Sequence, residues 1–144
     1  MATQAIAEQF KTIYQTLKFG KLSELFSDDF IAHGTHLPAP MNQAQFMGFL
    51  HILTEGCSDM NFNPQISDVD DTTFKLTWQL NGTHSGVLKL SVIGLQDFAP
   101  THRSFALPED TYVVTLEGDK ITKITISPVE GGGIQGTLRQ VGLI

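Results

Sequence analysis

Five histidines, one cysteine and a short set of carboxylates bound the chemistry open to this chain. A neutral imidazole with a pKa of about 6.5 takes and gives protons at working pH, which makes His33 and His84 candidates for acid/base work. His33 closes the short string Phe30-Ile31-Ala32-His33; its other reading is a side chain satisfied at a strand or helix end. His84 stands beside the Thr83 hydroxyl and between Gly82 and Gly86, glycines that suit a bend in a sheet, so its other reading is to hold that bend. His36, His51 and His102 have no supporting pattern and are read as surface or rim residues. Cys57 has no adjacent His or Arg to lower its pKa and is read as an inert thiol.

Among the carboxylates, Glu109 and Asp110 precede Tyr112 in an otherwise apolar strand. Buried in an apolar pocket, such a carboxyl has a raised pKa and suits a general base; exposed beside Pro108, it merely begins a strand. Trp78, the only tryptophan, alternates with Phe74, Leu76 and Leu80 on one face. It packs a core or stacks on a flat ligand, and Tyr14, Tyr112 and the Phe46/Phe49 stripe admit the same two readings. No His pair has helical i,i+4 spacing and His33 with His36 lacks a nearby carboxylate motif, so no metal is expected. P-loop, GxGxxG, HExxH, GxSxG and EF-hand patterns are also missing.

The elements that must position these groups divide at about the middle of the chain. Ile6, Phe10, Ile13, Tyr14 and Leu17 recur at helical spacing, with Gly20 as the expected stop. Leu22, Leu25 and Phe26 continue as a short turn until Ser27-Asp28-Asp29 breaks it. His36 to Pro40 reads as loop, because two prolines remove donors and fix φ. Asn42 with Gln45 forms a capping box for a second helix that carries Phe46, Phe49, Leu50 and Leu53 and ends near Gly56.

From Asn61 the period changes from 3.6 to 2, the signature of strands. A hairpin is expected around Asp70-Asp71, a third strand over Val87 to Ile93, a loop from Gln96 to Ser104, and a second hairpin across Glu117-Gly118-Asp119. The tail after Gly131-Gly132-Gly133 is either docked or frayed. Helices first and strands later predict an α+β fold, with helices packed on one face of a curved sheet.

The 144 residues have the length of one domain, 1–144. Hydrophobic residues make up 41% and charged residues 17%, against about 25% charged in a typical soluble domain, which predicts a cavity or a covered face. A net charge of -6 argues against nucleic acid as a partner. The start MATQAIAEQF lacks the basic and apolar regions of a secretory signal, and no stretch is long and apolar enough to span a bilayer. The expectation is a cytoplasmic protein without a membrane partner, consistent with a single cysteine.

Four strings carry a family resemblance. They are Leu25-Phe26-Ser27-Asp28-Asp29-Phe30-Ile31-Ala32-His33, Trp78-Gln79-Leu80-Asn81-Gly82-Thr83-His84-Ser85-Gly86, Ala99-Pro100-Thr101-His102-Arg103, and Gly118-Asp119-Lys120-Ile121-Thr122-Lys123-Ile124. With the order of elements, they make the chain resemble the NTF2-like superfamily and, within it, the SnoaL-like polyketide and ester cyclases. The second string keeps the W-x-x-x-G-T-H-x-G pattern of that group, and the last two vary its P-P-T-G-[RK] and D-G-K-I turns.

The resemblance implies a cone: N-terminal helices closing a strongly curved mixed or antiparallel sheet around an internal pocket, with two sheets pairing as a homodimer. It implies a small apolar ligand and, in active members, proton transfer next to a carbonyl by a carboxylate and histidines, without cofactor or metal. His33 matches the pocket-facing histidine and His84 the histidine of G-T-H-x-G. The aspartate that active members carry on the strand after the D-G-K-I turn has no counterpart in Ile121 to Val129. A substitute comes from Glu109 or Asp110, and the expected catalytic set is His33, His84 and Glu109, with Tyr14, Phe49, Trp78 and Tyr112 lining the pocket. The alternative is a non-catalytic module that binds a ligand or a protein partner.

Overall fold

A computed structural model describes residues 2–34, 39–127 and 129–144. The proline loop is therefore described only at Ala39 and Pro40, and His36 lies outside the described residues.

The apolar stripe of the first segment forms helix α1 (Ala2–Thr16), burying Ile6, Phe10, Ile13 and Tyr14. Its stop is Leu17, in the left-handed region at φ 59°, rather than Gly20, which sits inside a 3-10 turn (Phe19–Glu24) that buries Phe19 and Leu22. The helical turn is over before the Ser-Asp-Asp string, as expected, but strand β1 (Phe26–Gly34) begins already at Phe26 and runs through the string. A pairing irregularity between Phe26 and Ile31 absorbs that string, leaving Asp28 and Asp29 exposed while Phe26 and Phe30 stack inward at 3.9 Å.

The short strand β2 (Met41–Asn42) leads directly into α2 (Gln43–Gly56). The expected capping box is formed in both directions: Asn42 Oδ1 accepts from the Gln45 N–H, and Gln45 Oε1 accepts from the Asn42 N–H, each at 2.9 Å. Such a cap stabilises a helix by about 1 kcal/mol. Gly48, in the middle of α2, works against this, since an interior glycine costs about 1 kcal/mol relative to alanine. A Cβ there would meet nothing within 4 Å.

Strands β3 (Gln65–Ser67) and β4 (Thr73–Trp78) form the first hairpin, whose turn is held by Asp70 Oδ1 accepting from the Thr72 and Thr73 N–H groups. β9 (Asp110–Glu117) and β10 (Lys120–Ser127) form the second, turning at Gly118 with φ 65°. Period-2 burial along β4 and β9 turns Phe74, Leu76 and Trp78 inward with Asp110, Tyr112, Val114 and Leu116.

The six-stranded sheet has the order β2-β1-β10-β9-β4-β3; it is mixed, because β1 pairs parallel to β10 while the other pairs are antiparallel. Helices on one side of a curved mixed sheet make the chain α+β, as expected.

The expected third strand is mostly something else. β5 (Asn81–Thr83) pairs with β8 (Ser104–Ala106) and β6 (Leu88–Lys89) with β7 (Asp97–Phe98), while Leu90–Ile93 is a 3-10 turn ending at Gly94 with φ 90°. Leu88 and Leu90 are both fully buried, so their alternation reads as strand although the chain turns between them.

The bend at Gly82-Thr83-His84-Ser85-Gly86 closes the end of α2: the Gly56 carbonyl accepts from the N–H groups of Ser85 (3.1 Å) and Gly86 (3.0 Å). A Cβ on Gly86 would collide with the Glu55 carbonyl oxygen, so this approach needs glycine. The tail is docked as helix α3 (Gly133–Gln140), with Leu138 and Val141 buried. Gln140 clasps the Ala106 backbone in both directions, at 2.7 and 2.8 Å.

Candidate functional site

The inner face of the sheet, α2 and α3 enclose an apolar cavity of about 50 Å³. Phe46, Phe49, Leu50 and Leu53 reach it from α2, Trp78 from β4, Tyr112 from β9 and Thr137 from α3. At about 10–15 Å³ per water-sized sphere, this space takes a few heavy atoms and not a fused-ring molecule.

The polar groups at this cavity are sparse. Trp78 is 6% exposed, and its Nε1–H is buried without a hydrogen-bond partner. An orphaned donor of this kind costs about 1–3 kcal/mol. Tyr112 also lines the cavity and carries a hydroxyl; burial pushes its pKa up, the neighbouring Tyr14 hydroxyl opposes this and the Asp110 carboxylate pushes it up again, so the hydroxyl keeps its proton. Tyr14 lies behind it, fully buried, with its ring edge-on to Tyr112 at 5.8 Å. Burial raises the Tyr14 pKa well above the ordinary value, and its hydroxyl sits near that of Tyr112 without a well-aligned bond. Tyr14 does not itself line the cavity, whereas Phe49, Trp78 and Tyr112 do.

The two acids that the sequence left as alternatives separate by strand parity. Glu109 is exposed. Asp110 is 1% exposed, turned to the same face as Tyr112 and paired in register with Trp78. Its Oδ1 accepts from the Thr111 N–H at 2.9 Å, and its Oδ2 lies beside Gly132, the N-cap of α3. The positive end of the α3 dipole favours a carboxylate there. The signal that singles out Asp110 was available: it precedes Tyr112 by two residues, so alternation gives both the same face.

Neither histidine of the expected catalytic set lines the cavity. His33 follows Ala32, which is fully buried, and is therefore turned to the outer face, where its Nε2 meets Thr125 Oγ1 at 3.3 Å. His84 is fully buried in the bend. Its Nδ1 accepts from the Thr101 N–H (3.3 Å) and lies 3.1 Å from Thr101 Oγ1, while its own backbone joins Arg103 and His102, each at 2.9 Å. Burial lowers the His84 pKa; the Phe98 and Gly86 carbonyls oppose this, and Nε2 has no bonded partner. The structure thus does not gather His33, His84 and Glu109 into one place.

His51 is exposed and pairs with Glu55 at 2.7 Å; His102 is exposed at φ 58°. Burial raises the Cys57 pKa to about 11, leaving a thiol rather than a nucleophile. Among the described residues no group of three or more His, Cys, Asp or Glu could hold a metal ion, and no helix is long and apolar enough to cross a membrane.

No family model and no curated protein matches the sequence. Solved structures do match. A protein from Xanthomonas campestris, described provisionally as a polyketide cyclase, superposes with a TM-score of 0.73 at 12% identity, covering 98% of this chain and 97% of its own. A provisional SnoaL-like polyketide cyclase from Jannaschia sp. gives 0.68 at 15% identity, over 87% of this chain and 83% of its own. An NTF2-like protein of unknown function from Burkholderia pseudomallei gives 0.69 at 9% identity, over 99% and 98%. At such identities the likeness is one of backbone path, and by that path the chain has the NTF2-like fold.

Proposed function

We propose that this chain, as a single cytoplasmic NTF2-like domain, binds a small, largely apolar ligand through a carbonyl oxygen in the inner cavity and moves a proton next to that carbonyl without a cofactor. The observation that carries this is the unpartnered Trp78 Nε1–H on a ring lining a largely apolar cavity, since a ligand acceptor would recover the hydrogen bond that the fold forgoes. Tyr112 Oη is the second donor, and together they form an oxyanion site. Asp110, on the same face two residues away, is the base in place of Glu109. His84 and His33 support the bend and the outer face in this reading. The polyketide-cyclase descriptions of two structural neighbours agree with carbonyl chemistry.

The docking of Asp110 against the α3 N-terminus favours a second reading, in which the acid only anchors that helix and the protein binds ligand without turning it over. Outer-face residues Thr77, Thr111, Val113, Thr115 and Thr125 are half-buried and uncharged, and support pairing of two sheets as a homodimer.

The experiment is a titration of small ketones against the emission of Trp78, the only tryptophan, followed by NMR in deuterated water. Saturable quenching with deuterium entering at the carbon next to the carbonyl is expected. Quenching without exchange leaves the binding module, and no binding of any ketone overturns both readings.

A further inference from the structure

Outside the inner cavity, a groove of about 360 Å³ runs along the exposed side of α2, between Ala39-Pro40, Ala44, Gly48 and Ile52 on one side and Val92 on the other. Met41 and Phe49 line both spaces, so the groove and the cavity share a wall. Among the described residues, none that lines the groove carries a formal charge, and Val92 stands 76% exposed at its rim.

Gly48 is the second observation. It has no positive φ that would require glycine, and a Cβ there would meet no atom within 4 Å. Nothing within the described chain uses the space, yet a helix that is otherwise well capped keeps its least favourable ordinary residue at this point. A bare backbone flanked by apolar side chains is shaped for close approach by something outside the chain.

We propose that the groove is the outer half of one elongated ligand site: a carbonyl head occupies the inner cavity, and an uncharged hydrocarbon tail passes Met41 and Phe49 and lies along α2 over Gly48. The inner space alone takes only a few heavy atoms, whereas the groove has the volume of an ordinary small-molecule site. Met41, with its flexible thioether, is suited to shape itself to such a chain. The absence of charge in the groove argues against an anionic tail such as a phosphate or a fatty carboxylate. This proposal rests on the reading of the inner cavity as a carbonyl site.

The test is a series of linear methyl ketones lengthened one methylene at a time, titrated against Trp78 emission. Affinity is expected to rise about two- to fourfold per methylene once the chain leaves the inner cavity. Gly48→Leu, which fills the groove from an exposed helix position, is expected to flatten that slope, and Gly48→Ala to reduce it less while raising the melting temperature. Short ketones that bind with no gain on lengthening would overturn the groove but leave the inner site standing. A slope unchanged by Gly48→Leu would overturn it too. If Gly48→Leu instead splits a dimer, a second copy covers the groove and the proposal fails; if no ketone binds at all, it falls with the reading beneath it.

Discussion

Trp78 and Asp110 are direct register partners across the β4–β9 ladder, and both turn into the concave side of the sheet. The unpartnered indole N–H stands on a ring that lines the apolar cavity, and the buried carboxyl shares its rung without lining that space. In the proposed reading the indole donates to the carbonyl oxygen of a bound ligand and Asp110 is the base that takes the proton from the neighbouring carbon, as enolisation requires.

That arrangement separates the two neighbouring acids. Asp110→Asn is expected to slow deuterium entry next to the carbonyl of a bound ketone by about a hundredfold or more. Glu109→Gln, at an exposed position, is expected to leave the rate near that of the parent. NMR exchange rates at saturating ketone make the comparison, with melting curves to confirm that both variants fold. Equal losses would remove Asp110 from the chemistry.

Trp78→Phe keeps the ring in the cavity wall and deletes the orphaned donor. Ketone affinity is expected to fall about tenfold, the usual cost of a lost hydrogen bond to a buried partner. Because the free protein no longer buries an unsatisfied N–H, its melting temperature should hold or rise. Calorimetry reads the affinity, since the fluorescent reporter is gone. Undiminished affinity would mean that the indole only packs.

Much of this site is legible in the sequence where the information is local. The Asn42/Gln45 capping box, the Gly118 turn and the alternation that turns Trp78 and Tyr112 inward need only a few adjacent residues. The same alternation places Asp110 inside, and places His33 outside because it adjoins buried Ala32. What is not local is not legible. The parallel pairing of β1 with β10 joins His33 to Thr125 across most of the chain, and no periodicity announces it. α3 is hidden for another reason: its glycines read as a flexible tail, yet a Cβ on Gly136 would strike the Gly131 carbonyl, so that glycine permits a tight turn into the helix.

The sheet-to-sheet dimer is tested at Val113, which lies on the outer face between Lys75 and Thr125. Sedimentation at micromolar concentration is expected to show a species of twice 15.8 kDa, and Val113→Arg to shift it to the monomer by placing two like charges across the pair. A 15.8 kDa species in the parent protein would rule the dimer out.

The last prediction concerns His84, whose Nδ1 accepts the Thr101 N–H and must therefore be unprotonated in the fold. Burial lowers its pKa from the ordinary 6.5, so between the folded and unfolded values the unfolded chain binds more protons. The stabilisation is complete above pH 6.5 and is lost as pH falls through the lower folded value. The carboxylates held low by backbone and hydroxyl donors, Asp59, Asp70 and Asp97, lose theirs only as pH falls below their ordinary 3.8. Melting temperature should therefore fall in an upper step that begins below pH 6.5 and a lower one that begins below pH 3.8. His84→Gln, whose amide can accept the same N–H without titrating, is expected to lose the upper step and keep the lower one. An upper step that survives in this variant would mean that the bend does not sense protonation at His84.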